Sequence, residues 1–501
     1  MRYYLGIDNG GTTIKVALFN MFGQMVGVES IQNHTVASAS GFLECDMQQL
    51  WQNNCLLIRR LLQQCPVSPR EIVCVGLCGH GKGLYLWGKD GRPIRGGILS
   101  ADNRAWQYPE RWRTDGIEDE LYPIMLQPFA AGQPVCLLAW LRDHEPESLR
   151  SCQWIFSCKD YIRFRLTGKA QSELTDCSGS GLLDLRKKAY SPQVLERLGL
   201  SAFSECLPPL CTSLELCGSI SSSAAAQCGL CDGTPVIGGM FDIDACALAL
   251  NVTDSQNICM IAGTWSINEF LHSEPAHKGS SRNSLSYLPE YYLIEESSPT
   301  SAGNCEWFLR QIFFSSSPQA YSYSTVNELV SSLRPEEDIP LFLPFLYGSN
   351  SHPLAKSAFV ALHSSQTPAH LLRGIYEGVA FSHYAHLQRL LLHYPGTPCA
   401  IRLAGGAARS PVWAQIFSDV CRLPVQTSLA AETGALGCAI AAAAAIGDFP
   451  SLSDAAAWMS TPSETYYPKE DAAQFYRKKY ALYDECCRLL LPLWSKLHAL
   501  T

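Results

Sequence analysis

The run Ile7-Asp8-Asn9-Gly10-Gly11-Thr12-Thr13-Ile14-Lys15, directly behind the apolar opening Tyr3-Tyr4-Leu5-Gly6, constrains the fold more than any other stretch. Gly10 and Gly11 let a turn bring backbone N–H groups up to an anion. The hydroxyls of Thr12 and Thr13 add donors, and Asp8 offers a carboxylate to a hydrated divalent cation. Lys15 falls on the next strand as a phosphate contact. A tight hairpin with no ligand fits these residues alone equally well. No G-x-x-x-x-G-K-[ST] occurs, the spacing is not G-x-G-x-x-G, and the segment that follows, Val16 to Phe19, is strand-like rather than helical. A nucleotide bound here therefore belongs to an architecture that grips phosphates with hairpins.

Bulk properties narrow the class. A chain of 501 residues exceeds one core and predicts two large domains or three smaller ones. Its 47% apolar and 17% charged composition suits a well-packed enzyme, and a net charge of −8 leaves no basic excess for a nucleic acid. Small-molecule partners are expected. The 22 cysteines sit in apolar contexts such as Ile72-Val73-Cys74-Val75-Gly76-Leu77-Cys78, and the N-terminus carries no charged region followed by an apolar one. Both point to small buried hydrophobes in a reducing cytoplasm. Cys228 and Cys231 form one C-x-x-C without a second pair at zinc spacing, so packing is the expected role. His383 and His386, on a predicted helix, are read the same way. No apolar run is long and clean enough for a bilayer, and Ala439–Ile446 suits a closely packed internal helix.

Strand-like and helical segments alternate along the chain, which predicts α/β layers. Strands are expected at 3–8, 14–19 and 25–31. A helix should start at the capping residue Asp46 and run through Leu50, Trp51, Leu57 and Leu61, ahead of a buried strand at 72–78. Gly79-His80-Gly81-Lys82-Gly83 follows, then a hairpin at Asp90-Gly91 and a helical pattern over 132–146 carrying Trp140. Thr234 to Asp242 reads as a buried strand that runs into a glycine-permitted turn and an acidic residue, with a small-residue helix at Ala245–Ala249. Ile258 to Ser266 then repeats strand, glycine turn, hydroxyls and strand, in outline the order of residues 3–19. Two such hairpins are what a clamp on β- and γ-phosphates requires. A third glycine cluster, Leu403-Ala404-Gly405-Gly406-Ala407-Ala408, follows a strand and precedes a helix with Trp413, Ile416 and Phe417. It suits either a platform for a flat ring or plain tight packing.

Taken in order, these motifs resemble the FGGY family of carbohydrate kinases over nearly the whole chain. Asp8-x-Gly10-Gly11-Thr12 is similar to the first phosphate motif, Gly239-x-x-Asp242 to the catalytic aspartate motif and Gly263-Thr264 to the second phosphate motif. Gly76 to Gly83 and Ile98 to Ala105 are similar to the sugar-contacting stretches, and Gly132 to Pro146 to the first signature, with Leu137 where a lysine is usual. Phe342 to Gly348, Leu403 to Gly406 and Ala431 to Gly437 complete the pattern. Within the family, Gly11, Gly81-Lys82-Gly83 and Trp265 look like the bacterial L-xylulose kinases.

The resemblance implies two ribonuclease H-like domains of the actin, hexokinase and Hsp70 superfold, divided near residue 250 into 1–250 and 251–501, with the active site in the interdomain cleft. It implies ATP and Mg²⁺, a sugar as acceptor, no nucleic-acid or membrane partner, a cytoplasmic location and, since many members form dimers, a homodimer. The implied acceptor is a ketopentose, L-xylulose first, phosphorylated on its 5-OH; another pentulose, a keto acid sugar or a polyol is the alternative. Asp242 would be the general base, with Asp244 as its rival on the same segment. Asp8 would hold the metal through water. Gly10, Gly11, Thr12, Thr13, Lys15, Gly263 and Thr264 would bind phosphate, Gly405, Gly406 and Ala407 adenosine, and His80, Gly81, Lys82, Asp102 and Trp265 the sugar. Trp265 could instead fill core, and Lys82 could be solvated. The contrasting reading is a non-catalytic ATPase switch of the same superfold, against which stand the carboxylate at the base position and the lack of a β-rich peptide-binding domain.

Overall fold

The computed structural model describes residues 2–37, 41–277, 283–313, 322–350, 352, 354–428, 430–460 and 462–500. The chain folds into two compact units. The first comprises Met1–Thr253, Ser273–Ile294 and Ala430–Thr461, and the second Asp254–His272, Glu295–Leu429 and Pro462–Thr501.

In the first unit Tyr3–Asn9 and Thr13–Asn20 form the expected hairpin, in a register that sets Asp8 opposite Lys15. Met25–Gln32 extends it antiparallel, while Ile72–Gly79 runs parallel on the other side of Tyr3–Asn9. Pro235–Ile237 and then Leu216–Ser219 complete that edge, and the short strand Met240–Phe241 also pairs with Ile72–Gly79. The central strands are apolar at nearly every position because both faces are covered. Leu5 and Ile7 face a core that includes Leu50, Trp51, Leu57 and Leu61 of the helix Met47–Gln64. That helix starts where expected, with Asp46 accepting from the N–H groups of Gln48 and Gln49. Tyr4, Cys74 and Cys78 face the opposite layer, built from the small-residue helices Asp242–Ala249 and Thr433–Ala445.

The expected division into two halves at residue 250 differs from this in two segments. The helix Thr433–Ala445 joins the first unit because its alanine- and glycine-rich surface lies directly on the strands. Side chains on Gly6 or Gly76 would have their Cβ 2.1 or 2.2 Å from the carbonyl oxygens of Ala435 and Cys438. Ser273–Ile294 joins it through its own N–H groups, Ser284 N–H donating to Leu126 C=O and Ser286 N–H to the Ser178 hydroxyl.

The second unit is ordered around its own sheet. Ser266–His272 pairs antiparallel with Asn257–Ala262, which runs parallel to Ala400–Gly405. Val425–Ser428 and Pro462–Tyr466 follow. The plan repeats that of the first unit: a hairpin, then a parallel strand that ends in glycines. Long helices Pro368–Leu391 and Glu470–His498 pack with Pro411–Cys421. Glu470–His498 closes the chain. It is held by a buried ion pair between Lys479 and Glu377 at 2.6 Å and by the Tyr476 hydroxyl, which donates to the Glu377 carboxylate at 2.9 Å. No helix among the described residues is long and apolar enough to cross a membrane.

Candidate active site

In the first unit the hairpin turn is anchored from behind. The carbonyls of Gly11 and Thr12 accept from the Asn33 side chain and backbone, at 3.4 and 2.8 Å. Asp8, at the end of its strand, has Oδ1 buried with no hydrogen-bond partner among the described residues. Burial pushes its carboxyl up from the ordinary range, and Lys15 across the hairpin offsets part of that. A buried carboxylate oxygen with no protein donor is chemically what a hydrated cation would satisfy. Lys15 itself is tied to Glu432 at 2.6 Å, so a phosphate role would require it to be shared with that carboxylate.

Strand register brings the acidic turn close to this hairpin. Asp8 lies opposite Cys78 on one side of Ile72–Gly79, and Met240 and Phe241 lie opposite Cys78 and Gly79 on the other. Asp242 comes next, half-buried, as the first residue of the helix Asp242–Ala249. The ionised form is favoured at a helix N-terminus. Gly239 makes the approach turn: its φ is +77°, and a Cβ there would sit 2.2 Å from the carbonyl oxygen of Leu77. Asp244 is completely buried.

The other expected sugar-site residues fall into three groups. Gly81 lies against the Phe241 ring, so that a Cβ would meet it at 2.4 Å, and Lys82 beside it is half-buried at φ +61°. Lys82 borders a narrow crevice with Ser157, Asp160, Asp176 and Ser180. His80 is buried, its Nε2 2.9 Å from the Tyr85 hydroxyl, and burial lowers its pKa to about 4, so it stays neutral. Asp102 is fully committed within the chain: Oδ1 accepts from Arg104 N–H and Nε, and Oδ2 from Leu43 N–H and Arg104 Nη2. Its oxygens carry four donors already, which gives it a loop-holding role.

A buried charge cluster behind Asp242 was not anticipated. Lys159 Nζ lies 2.9, 3.2 and 3.4 Å from carboxylate oxygens of Asp160, Glu173 and Asp176, and Arg163 adds a bond to Asp160 at 2.8 Å. Glu173 caps the short helix after it and accepts from the Thr175 hydroxyl, which in turn accepts from the N–H of Phe241 at 2.9 Å. The cluster thereby fixes the residue that precedes Asp242. In sequence the helix Cys158–Thr167 carries Lys159, Asp160, Arg163 and Arg165, and nothing in that pattern sets the first three apart as buried.

In the second unit the turn after Asn257–Ala262 exposes Thr264 and Trp265, the latter 41% exposed and so not a core filler. The Gly263 N–H is bonded to the Trp265 carbonyl at 3.2 Å, and Thr264 is the exposed hydroxyl donor of the pair. A cavity of about 340 Å³ opens beside it, bordered by Gly303, Asn327, Tyr376, Gly406, Ser410 and Trp413 as well as the turn. Tyr376 and Trp413 are stacked, 3.9 Å between centroids and 7° apart. Asn327 Oδ1 accepts from the Ser410 and Tyr376 hydroxyls at 2.7 and 3.1 Å, so its amide presents donors. Of the expected adenosine residues, Gly406 lines this cavity, whereas Ala407 is buried and Gly405, at φ +85°, turns the chain into it. Asn327 and Tyr376 lie in no motif and were missed.

Comparison with known proteins supplies what geometry alone does not. The N-terminal domain model of the FGGY family of carbohydrate kinases matches residues 3–249, and the C-terminal domain model matches residues 258–446. The chain is 36% identical over 489 residues to an L-xylulose/3-keto-L-gulonate kinase of Escherichia coli strain K12, covering 96% of each chain. It is 35% identical to a probable L-xylulose kinase of Pasteurella multocida strain Pm70, covering 97% of this chain and 98% of that one. Among solved structures, a ligand-bound xylulose kinase from Lactobacillus acidophilus superposes with a TM-score of 0.90 at 22% identity, over 99% of this chain and 100% of the other. A glycerol kinase from Plasmodium falciparum with ADP gives 0.85 at 15% identity, over 98% of each. At those identities the likeness speaks to the fold, which is the two-domain kinase fold of the actin and hexokinase superfold. Both domain models and the near-full-length relatives show that the protein belongs to the FGGY family of carbohydrate kinases, enzymes that transfer a phosphoryl group from ATP to a sugar.

Proposed function

We propose that the protein phosphorylates L-xylulose with ATP, giving L-xylulose 5-phosphate and ADP. The observation that carries the acceptor is the pair of relatives named L-xylulose kinases, at 35 and 36% identity across nearly the full chain. Asp242 acts as general base. Its carboxylate takes the proton of the 5-OH as the new O–P bond forms, and the bond from the γ-phosphorus to the β–γ bridging oxygen breaks. Thr12, Thr13 and Thr264 donate to phosphate oxygens, and Gly11 and Gly263 leave room for them. Asp8, with its unpartnered buried oxygen, would hold Mg²⁺ through water, and the ion would neutralise charge on the phosphates. The cavity beside Thr264 takes the adenosine, with Asn327 as donor to a ring nitrogen and Gly406 against the ring. ADP release measured across ketopentoses, hexuloses, keto acid sugars and polyols tests the assignment: L-xylulose should give the highest kcat/KM, and a clear preference for another class would displace it.

The phosphate turns have a clean steric test. A methyl group on Gly11 would meet no atom within 4 Å, and one on Gly263 only the Trp265 carbonyl oxygen at 3.9 Å. Gly11→Ala and Gly263→Ala should therefore keep the parent melting temperature, yet raise KM for ATP on the order of tenfold, because the methyl occupies space the phosphates need. Unchanged KM in both variants would remove these turns from the site.

A second acceptor class is favoured by Lys82. A non-glycine residue at φ +61° between two glycines carries a cost of about 1 kcal/mol that a third glycine would not. An ammonium there suits an acceptor carboxylate, as in a keto acid sugar, the kind named for one relative. Lys82→Met should lower kcat/KM for 3-keto-L-gulonate about tenfold more than for L-xylulose. An equal loss on both would give Lys82 no role in telling them apart.

A further inference from the structure

Five polar side chains of the second unit meet in its interior. His383 lies on the helix Pro368–Leu391 and is 0% exposed, as are Ser266, Asn268 and Ser301; His386 is buried one turn on. His383 Nε2 is 2.7 Å from the Ser301 hydroxyl, and its Nδ1 is 2.8 Å from Asn268 Oδ1 and 3.2 Å from the Ser266 hydroxyl. Asn268 Nδ2 donates to His386 Nδ1 at 3.0 Å and to the Ser266 hydroxyl at 3.2 Å. With Asn268 Oδ1 toward His383 and Nδ2 toward His386, one set of proton positions satisfies the chain. Ser301 O–H donates to Nε2 of His383, whose Nδ1–H donates to Asn268 Oδ1, and the Asn268 amide donates onward to His386. Burial drives the His383 pKa down to about 3, so the ring is neutral and can accept on one nitrogen while donating on the other.

A serine, a histidine and an asparagine in hydrogen-bonding order are also the parts of an acyl-transfer nucleophile, but complete burial denies any substrate access to the Ser301 hydroxyl. What the network touches is more telling. Ser266 is the first residue after the Gly263-Thr264-Trp265 turn, at the start of its strand. Ser301 is two residues before Gly303, whose N–H donates to the Gly263 carbonyl at 3.2 Å, and both Gly303 and Ala302 border the cavity beside Thr264. His383 is thus bonded to the segment that leaves the turn and to the segment that braces it.

We infer that His383 is a positioning residue for ATP: a neutral, doubly bonded imidazole that fixes the Gly263-Thr264 turn by bonding Asn268, on the strand that leaves it, and Ser301, beside the segment that braces it. The inference rests on the reading of this turn as a phosphate contact, so the experiment measures the two separately. ATP affinity is determined by calorimetry with Mg²⁺ and no sugar, at a temperature well below melting, for Thr264→Ala, His383→Phe, His383→Gln and Ser301→Ala. Thr264→Ala tests the turn itself, and unchanged affinity there would reject the turn's role. With that role upheld, His383→Phe, which keeps the ring volume and loses both bonds, should weaken ATP on the order of tenfold. His383→Gln can still reach Ser301 from its terminal amide and should recover most of the loss. Ser301→Ala, a small change expected to fold in any case, should weaken ATP about threefold. A purely structural histidine would lower the melting temperature and leave ATP affinity in the folded protein intact. Affinities within about twofold of the parent for Ser301→Ala and for folded His383→Phe would overturn the inference.

Discussion

Asp242→Asn is expected to lose about 10²–10⁴ in kcat while keeping its fold and its affinity for ATP. The amide has the shape of the carboxylate and can still hydrogen-bond the acceptor hydroxyl, but it cannot take the proton. The side chain is half-buried on the first turn of its helix and its loss leaves no cavity, so the melting temperature should move little. ATP affinity should hold because the residues assigned to phosphate and adenosine are others. Asp244→Asn is the matched control. Two residues further along the same helix, Asp244 is completely buried, and its substitution should act on stability rather than on turnover. Single-turnover rates and melting curves of both variants separate the two aspartates. Near-normal turnover in Asp242→Asn, or a larger rate loss in a fully folded Asp244→Asn, would transfer the base to another residue.

The parts of this site that are local in sequence were legible there, and the parts assembled from distant segments were not. Short apolar runs on either side of Gly10-Gly11 sufficed for the hairpin Tyr3–Asn9 to Thr13–Asn20, and Asp46 marked the start of its helix by its capping chemistry. The buried cluster of Lys159, Asp160, Glu173 and Asp176 left almost no trace, because charges on a helix that also carries Arg163 and Arg165 do not announce which of them will be buried or which carboxylates will meet them. Asp102 matched a sugar-contacting pattern, yet its oxygens are taken up by Arg104 and the backbone of Leu43, partners that only the folded loop reveals. Asn327 and Tyr376 come to Ser410 and Trp413 from 83 and 37 residues away, a separation that periodicity cannot bridge. The two histidines at 383 and 386 were correctly placed on a helix as buried groups, but their connection to the turn at Gly263 depends on Ser301 and Asn268, neither of which has a distinguishing local pattern.

Gly437→Val is expected to be the most damaging single change outside the chemistry, with a loss on the order of 3–5 kcal/mol and poor recovery of folded protein. Gly437 sits in the middle of the helix Thr433–Ala445, where glycine would ordinarily cost about 1 kcal/mol against alanine. Here the missing side chain is what permits contact. A Cβ at this position would stand 2.0 Å from the carbonyl oxygen of Ala245 and 2.8 Å from its Cα, in the helix that begins with Asp242. Neither neighbour is a flexible side chain that could step aside, so the two helices must part. The same helix rests its other face on Gly6 and Gly76, whose Cβ positions would be equally close to its backbone, so it has no room to move away from Asp242–Ala249. Stability and activity should therefore fall together. Any folded Gly437→Val would hold Asp242 displaced by an ångström or more, enough to cost on the order of 10²-fold in kcat on top of the reduced yield. Gly437→Ala should show the same two effects in smaller measure, whereas Gly263→Ala, with no atom nearer than 3.9 Å to the added methyl, should leave the melting temperature unchanged. If Gly437→Val melted within about 2 °C of the parent and turned over normally, the close approach of these helices would be neither a stability determinant nor a means of placing Asp242.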